Sequence, residues 1–316
     1  MAAEHHHPQA GGDRRWLSAA LGLIVAFMAV EVVVGLLAHS LALISDAAHM
    51  LTDAASLALA LVAMRLAARP ARGGYTYGLR RAEILSAQAN GLTLLLLAGW
   101  LGYEAVRRLV HPPAVAGGPV LATALAGVAV NLLATWLIGR ADRTSLNIEG
   151  AFQHILTDLF AFAATAVAGA VMLGTGFVRA DGIASLVVVG LMVRAGVGLV
   201  RESGRIFLEA APAGVDPAAL GARLAAQAQV AEVHDLHVWQ ITSGQPAASA
   251  HVLVVDGGDC HAVRRGLERV LHTEYGITHS TLQVDHVGPA VLAIGDAQDD
   301  VHCGDSHGPV HRPASD

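Results

Sequence analysis

Two five-residue strings in this sequence differ at a single position: His49-Met50-Leu51-Thr52-Asp53 and His154-Ile155-Leu156-Thr157-Asp158. In a helix, residues four apart lie one above the other, so each string presents an imidazole and a carboxylate on one face. Two such faces turned toward each other supply two nitrogens and two oxygens, and four N/O donors in a closed tetrahedron suit zinc. Magnesium and calcium take six or more oxygens and copper(I) takes sulfur, whereas cobalt, cadmium and iron(II) stay open beside zinc. The competing reading is a pair of His–Asp hydrogen bonds that only tie helices together. Recurrence of the whole string on two separate segments argues against it.

Both strings lie in apolar surroundings. A hydrocarbon core about 30 Å thick asks for about 20 apolar residues per helix. Six segments meet that length: Trp16–Leu37, Leu41–Leu66, Ala82–Leu109, Pro119–Ile138, Ile148–Leu173 and Ile183–Leu199. Counted from the start of each span, Asp53 and Asp158 fall near mid-depth, where an ionisable side chain is costly and marks a functional site. Recurrence in spans 2 and 5 also reads as the trace of a three-plus-three duplication. An odd number of spans per copy inverts the second copy and suits alternating access around a shared site. Convergence of a short string is the other reading, since little else matches between the halves. Asp46, one turn before His49, is a candidate to support the site or line its outward path. Glu31 and Asn131 read as bonds between helices, Asp181 as a carboxylate at a helix start, and Arg194 as a side chain that snorkels to the membrane surface.

Composition agrees with a membrane protein. Hydrophobic residues make up 54% and charged residues only 15% of the 316, and mean hydropathy is +0.51; soluble domains are nearer a quarter charged. A net charge of −6 offers no basic face for nucleic acid. No G-x-x-x-x-G-K string is present, which argues against an ATP-driven pump. Two cysteines, Cys260 and Cys303, make no disulfide framework and point to a reduced, cytosolic setting. His5, His6 and His7 read either as a metal-gathering tail or as an added tag. All 20 basic residues are Arg, and their placement is uneven. Arg14, Arg15, Arg65, Arg69, Arg72, Arg80, Arg81, Arg140, Arg143, Arg201 and Arg205 fall on one side, against Arg107, Arg108 and Arg179 on the other. The positive-inside rule then places both termini in the cytoplasm, and the inner (plasma) membrane is the expected location.

Four regions follow: a disordered tail over 1–14, six transmembrane helices over 15–209, a cytoplasmic domain over 210–288 and a disordered His- and Cys-bearing tail over 289–316. In the third region Pro217–Gln229 reads as a helix behind Asp216, and Val233–Ile241 and Ser249–Val255 alternate as strands around a turn at Ser243–Pro246. His261–Tyr275 is amphipathic, and Thr278–Asp285 is a last strand. The order αββαβ predicts a small α+β domain with its helices on one face of the sheet. Seven histidines crowd into it; neighbouring strands carry His234 and His251, and Asp285 ends the third.

These residues resemble the cation diffusion facilitator family, closest to its bacterial zinc-exporting branch. The matching stretches are Glu31–Asp53 (EVVVGLLAHSLALISDAAHMLTD), Tyr75–Gly91 (YTYGLRRAEILSAQANG), Asn147–Asp158 (NIEGAFQHILTD), Asp181–Leu186 (DGIASL), Leu208–Pro212 (LEAAP) and His234–Trp239 (HDLHVW). The resemblance implies a homodimer that exports zinc in exchange for protons, a transport site of His49, Asp53, His154 and Asp158, and a metallochaperone-like soluble domain. It also implies zinc binding by His234, His251 and Asp285, with His261 joining in some members. There are departures. Arg69–Gly78 lacks the acidic, histidine-bearing loop of some members and carries Tyr75 and Tyr77 instead, so no metal is expected there. Gln283 stands where members with two zinc ions in this domain have His, and His302 with Cys303 is a further candidate ligand pair.

Two other function classes compete with a transporter of zinc, cadmium, cobalt or iron(II). An intramembrane metalloenzyme needs an open metal position and a general base, as in H-E-x-x-H, and no such string occurs. A membrane-anchored zinc sensor would make the soluble domain the working part. No organic cofactor is expected.

Overall fold

The computed structural model describes residues 9–37, 41–111, 117–287 and 308–313. The chain divides into two compact units, Met1–Gly204 and Arg205–Asp316. Helices α1 (Gln9–Leu37), α2 (Leu41–Ala67), α3 (Ala82–Val110), α4 (Gly117–Ile138), α5 (Leu146–Thr175) and α6 (Ala180–Phe207) come first. Among the described residues, six helices are long and apolar enough to cross a membrane. Several outrun the apolar segments that predict them: α1 begins seven residues before Trp16, and α6 runs on to Phe207 rather than stopping at Leu199. Hydropathy marks only the part of a helix at membrane depth, and α5, with 30 residues, is about 45 Å long at about 1.5 Å per residue.

The helices pack in two groups. Leu17 and Ile24 of α1, Met50 and Leu57 of α2, Ile138 of α4 and Ile155 of α5 share one buried cluster. Leu94 and Ala98 of α3 form another with Val188, Met192 and Leu199 of α6. In a membrane, close approach of small residues does much of the work that the hydrophobic effect does in water. The α3–α6 crossing shows it: a Cβ at Gly91 would stand 2.9 Å from Leu199 Cβ, and one at Gly196 would stand 2.9 Å from the Gly91 carbonyl oxygen.

The second unit has the expected αββαβ order: α7 (Pro217–Ala225), β1 (Val230–Thr242), β2 (Gln245–Val254), α8 (Cys260–Tyr275) and β3 (His279–His286). The sheet runs β1-β2-β3, with β1 and β2 antiparallel and β2 and β3 parallel. The β1–β2 turn is tighter than the sequence suggests, because Gly244 takes φ +70° and β2 can start at Gln245. Asp216 caps α7 by accepting the Ala218 N–H, and Asp259 caps α8 by accepting that of Ala262. That backbone bond holds the Asp259 carboxyl below its ordinary pKa, so its contribution is present at neutral pH and lost as the pH falls through the lowered value. Leu220 and Leu224 of α7 and Val263, Leu267 and Leu271 of α8 cover one sheet face through Val233, Ala250, Val252 and Val254.

Of the 289–316 tail, read from sequence as disordered, residues 308–313 are described. Residues 288–307, including His302, Cys303 and His307, lie outside the described residues, as do His5, His6 and His7. His311, however, exchanges two backbone hydrogen bonds with Val233, at 2.8 and 2.9 Å, and Arg312 pairs with Glu232 at 2.8 Å. The edge of β1 leaves unpaired backbone groups that a passing segment can satisfy. The His311 ring packs so close to Gly221 that a Cβ there would come within 2.3 Å of it.

Candidate metal centre

Helices α2 and α5 bring the paired strings together. Asn147, at the start of α5, donates to the Ala60 carbonyl of α2 at 3.0 Å and sets the height of one helix against the other. One helical stripe then faces inward, and Asp53 and His154 are fully buried while Asp158 is 3% exposed. His154 Nε2 lies 3.3 Å from Asp53 Oδ1 and 3.9 Å from Asp158 Oδ2. One ligand atom from each of the three lies within 4.8 Å of the others, the one such group of three or more potential metal ligands among the described residues. Metal–ligand bonds of about 2.0–2.1 Å place tetrahedral donors roughly 3.3 Å apart, so the spacing fits a zinc-sized ion after a small contraction. Two carboxylates and an imidazole sealed from water match a doubly charged cation, since burial makes an uncompensated anion costly. His49 lies on α2, but its side chain, like that of Asp46, falls outside the described residues.

Two other buried polar groups, Thr157 and Asn131, bond within their own helices. Thr157 Oγ1 donates to the Gln153 carbonyl at 2.7 Å, and Asn131 donates to that of Gly127 at 3.1 Å. Glu31 is buried on α1. Asp181, read from sequence as a helix-start carboxylate, also takes an ion pair from Arg108 at 2.8 Å, which joins α3 to α6.

In the soluble unit, His234 and His251 are direct cross-strand partners, and their rings meet edge to face with centroids 5.5 Å apart. They lie on the sheet face opposite the helices. Two acidic neighbours join them that sequence reasoning did not single out. Glu232 Oε1 is 3.2 Å from His234 Nδ1, and Asp235 lies 2.8 Å from His237 and 3.8 Å from His251. Asp235 has φ +50° at a break in strand register between His234 and His237, and that bulge turns its carboxylate toward both rings. The string HDLHVW held the signal, but periodicity alone does not reveal a bulge. Asp285 sits on β3 opposite Leu253, exposed and bonded to Gln283 at 3.0 Å, and His261 is exposed in the first turn of α8. Neither forms a compact ligand group with the His234–His251 pair.

Comparison with known proteins follows the same division. Residues 17–208 match the model for the cation efflux transmembrane domain, and residues 212–287 that for the cytoplasmic domain of cation efflux proteins. The chain is 36% identical over 287 residues to a cadmium, cobalt and zinc/H(+)-K(+) antiporter of Bacillus velezensis, covering 89% of this chain and 91% of that protein. It is 35% identical over 293 residues to the zinc transporter ZitB of Escherichia coli, covering 90% and 93%. It is 37% identical over 289 residues to the metal cation efflux system protein CzcD of Cupriavidus metallidurans, covering 90% of each.

Proposed function

The chain belongs to the cation diffusion facilitator family, in its zinc-exporter branch, and from that premise we propose that it expels zinc from the cytoplasm in exchange for protons. The observation that carries the reading is the sealed Asp53–His154–Asp158 group, with His49 as fourth ligand on the helix that bears Asp53. Zinc is the substrate here, and the donor set also admits cadmium, cobalt and iron(II). The names of related proteins include zinc, cadmium and cobalt and support those three.

The chemistry of exchange follows from the ligands. Zinc needs neutral imidazole and ionised carboxylate, so each bound ion competes with protons. An unperturbed His titrates near 6.5, within reach of the pH on either side of a membrane. Protons arriving from a more acidic exterior displace the ion, and the protonated site returns inward. Counterflow of labelled zinc in liposomes tests transport as such, since a membrane-anchored sensor or a metalloenzyme would show none.

The same reading places this multi-pass protein in the inner membrane as a homodimer, with both termini in the cytoplasm. The arginine asymmetry supports that orientation. A reporter fused after Asp316 is then expected to face the cytoplasm, and a Gly117→Cys substitution to be labelled by an impermeant reagent from outside. Protection of position 117 together with external access to the C-terminus would reverse the topology. In the soluble domain we propose a structural or regulatory zinc held first by His234 and His251, with the exposed Asp285 on the same sheet face joining them and His261 as a further candidate ligand. Gln283 opposite His251 speaks for one ion there rather than two.

A further inference from the structure

Helices α5 and α6 flank a groove of about 760 Å³, within the range of about 300–1,000 Å³ that takes a small-molecule ligand. Leu156 and Phe160 of α5 and Leu191 and Val197 of α6 line it with apolar surface. Its charged residues are Glu149 on α5 and Arg194 and Arg201 on α6. The polar groups on the α5 wall are already paired. Glu149 accepts both Arg143 guanidinium bonds, at 2.8 and 3.1 Å, and the Gln153 amide at 2.6 Å. Thr157 donates to the Gln153 carbonyl.

The α6 wall differs. Arg194 and Arg201 are both exposed, and among the described residues neither has an ion pair or a hydrogen bond. Seven residues apart, they stand on one helix face about 10 Å from each other along the axis. Arg194 interrupts the apolar part of α6, where a guanidinium requires an anionic or aqueous partner. Two positive charges, facing a carboxylate that Arg143 already neutralises, repel a metal cation and attract an anion. Guanidinium forks match phosphate geometry, and the walls between them suit hydrocarbon.

We propose that this groove is a binding site for an anionic phospholipid of the leaflet at the C-terminal end of α6. Its headgroup phosphate bridges Arg194 and Arg201, and an acyl chain lies along Leu156, Phe160, Leu191 and Val197. Thr157, the neighbour of Asp158, lines the groove, so the lipid rests against the helix that carries two of the metal ligands.

The test is native mass spectrometry of the purified full-length protein offered equal phosphatidylglycerol and phosphatidylcholine. The wild type is expected to retain phosphatidylglycerol with a preference on the order of 30-fold, as two arginines near a charged surface supply. Arg194→Gln and Arg201→Gln singly should each lose about fivefold and together bring the preference to parity, while the paired Lys substitutions keep most of it. Inorganic phosphate at millimolar concentration should leave the retained lipid in place. An undiminished preference in the double Gln variant, with the same melting temperature in phosphatidylcholine as the wild type, would overturn the site. Displacement of the lipid by inorganic phosphate would overturn it too, as would a disulfide between two copies of an Arg194→Cys variant, which would assign the groove to a second copy of the chain.

Discussion

Asp158→Ala is expected to abolish zinc flux in reconstituted protein and to weaken zinc binding at the membrane site by at least about 100-fold. Changes in groups that merely orient metal ligands cost about 10–100-fold in affinity, and Asp158 is a candidate ligand itself. Its carboxylate lies 3.9 Å from His154 Nε2 and is 3% exposed, so no water replaces it at the mouth of a cavity. The loss also leaves one carboxylate against a doubly charged ion in a setting that hardly screens charge. Asp53→Ala should behave alike, because Asp53 approaches the same imidazole nitrogen from α2 at 3.3 Å. Zinc uptake into liposomes measures the effect, and circular dichroism checks that the variant keeps its helices. Wild-type flux in either variant would show that the ion passes elsewhere.

Replacing His234 and His251 together by Ala should remove most of the zinc bound by an isolated 205–316 fragment. The two rings face each other across paired strands, 5.5 Å between centroids, and no other described residues of the fragment hold imidazoles so arranged. Ligand binding to the folded state adds stability, about 2.7 kcal/mol at a hundredfold excess over Kd. The wild-type fragment should therefore melt higher with zinc, and the double variant should not respond. Some transport should persist in the full-length double variant, because the Asp53–His154–Asp158 group is untouched. Unchanged zinc stoichiometry in the variant fragment would remove these residues from the assignment.

The membrane half was the more legible from sequence. Six apolar stretches and a repeated His-x-x-x-Asp string specify both the helices and the face on which Asp53, His154 and Asp158 meet, because a helical period converts spacing directly into position. Helix ends were less legible: α6 continues through Arg201 and Arg205 to Phe207, where hydropathy has already fallen. In the soluble domain the αββαβ order could be read from alternation and caps, yet the acidic partners of its histidines could not. Asp235 reaches His237 and His251 only through a local break in the β1 register, which no period announces. Nor does periodicity foretell that His311 and Arg312 return to the edge of β1, a contact set by tertiary geometry some 80 residues away along the chain.

Proton movement driven by zinc is the most direct test of the central claim. Liposomes containing the full-length protein and a trapped pH dye are given an outward or inward zinc gradient, with Asp158→Ala as control. Wild-type protein should move protons opposite to zinc, with a rate that rises as the receiving side is made more acidic, and Asp158→Ala should move neither. Zinc flux at the wild-type rate with no accompanying proton movement would contradict exchange at the Asp53–His154–Asp158 site.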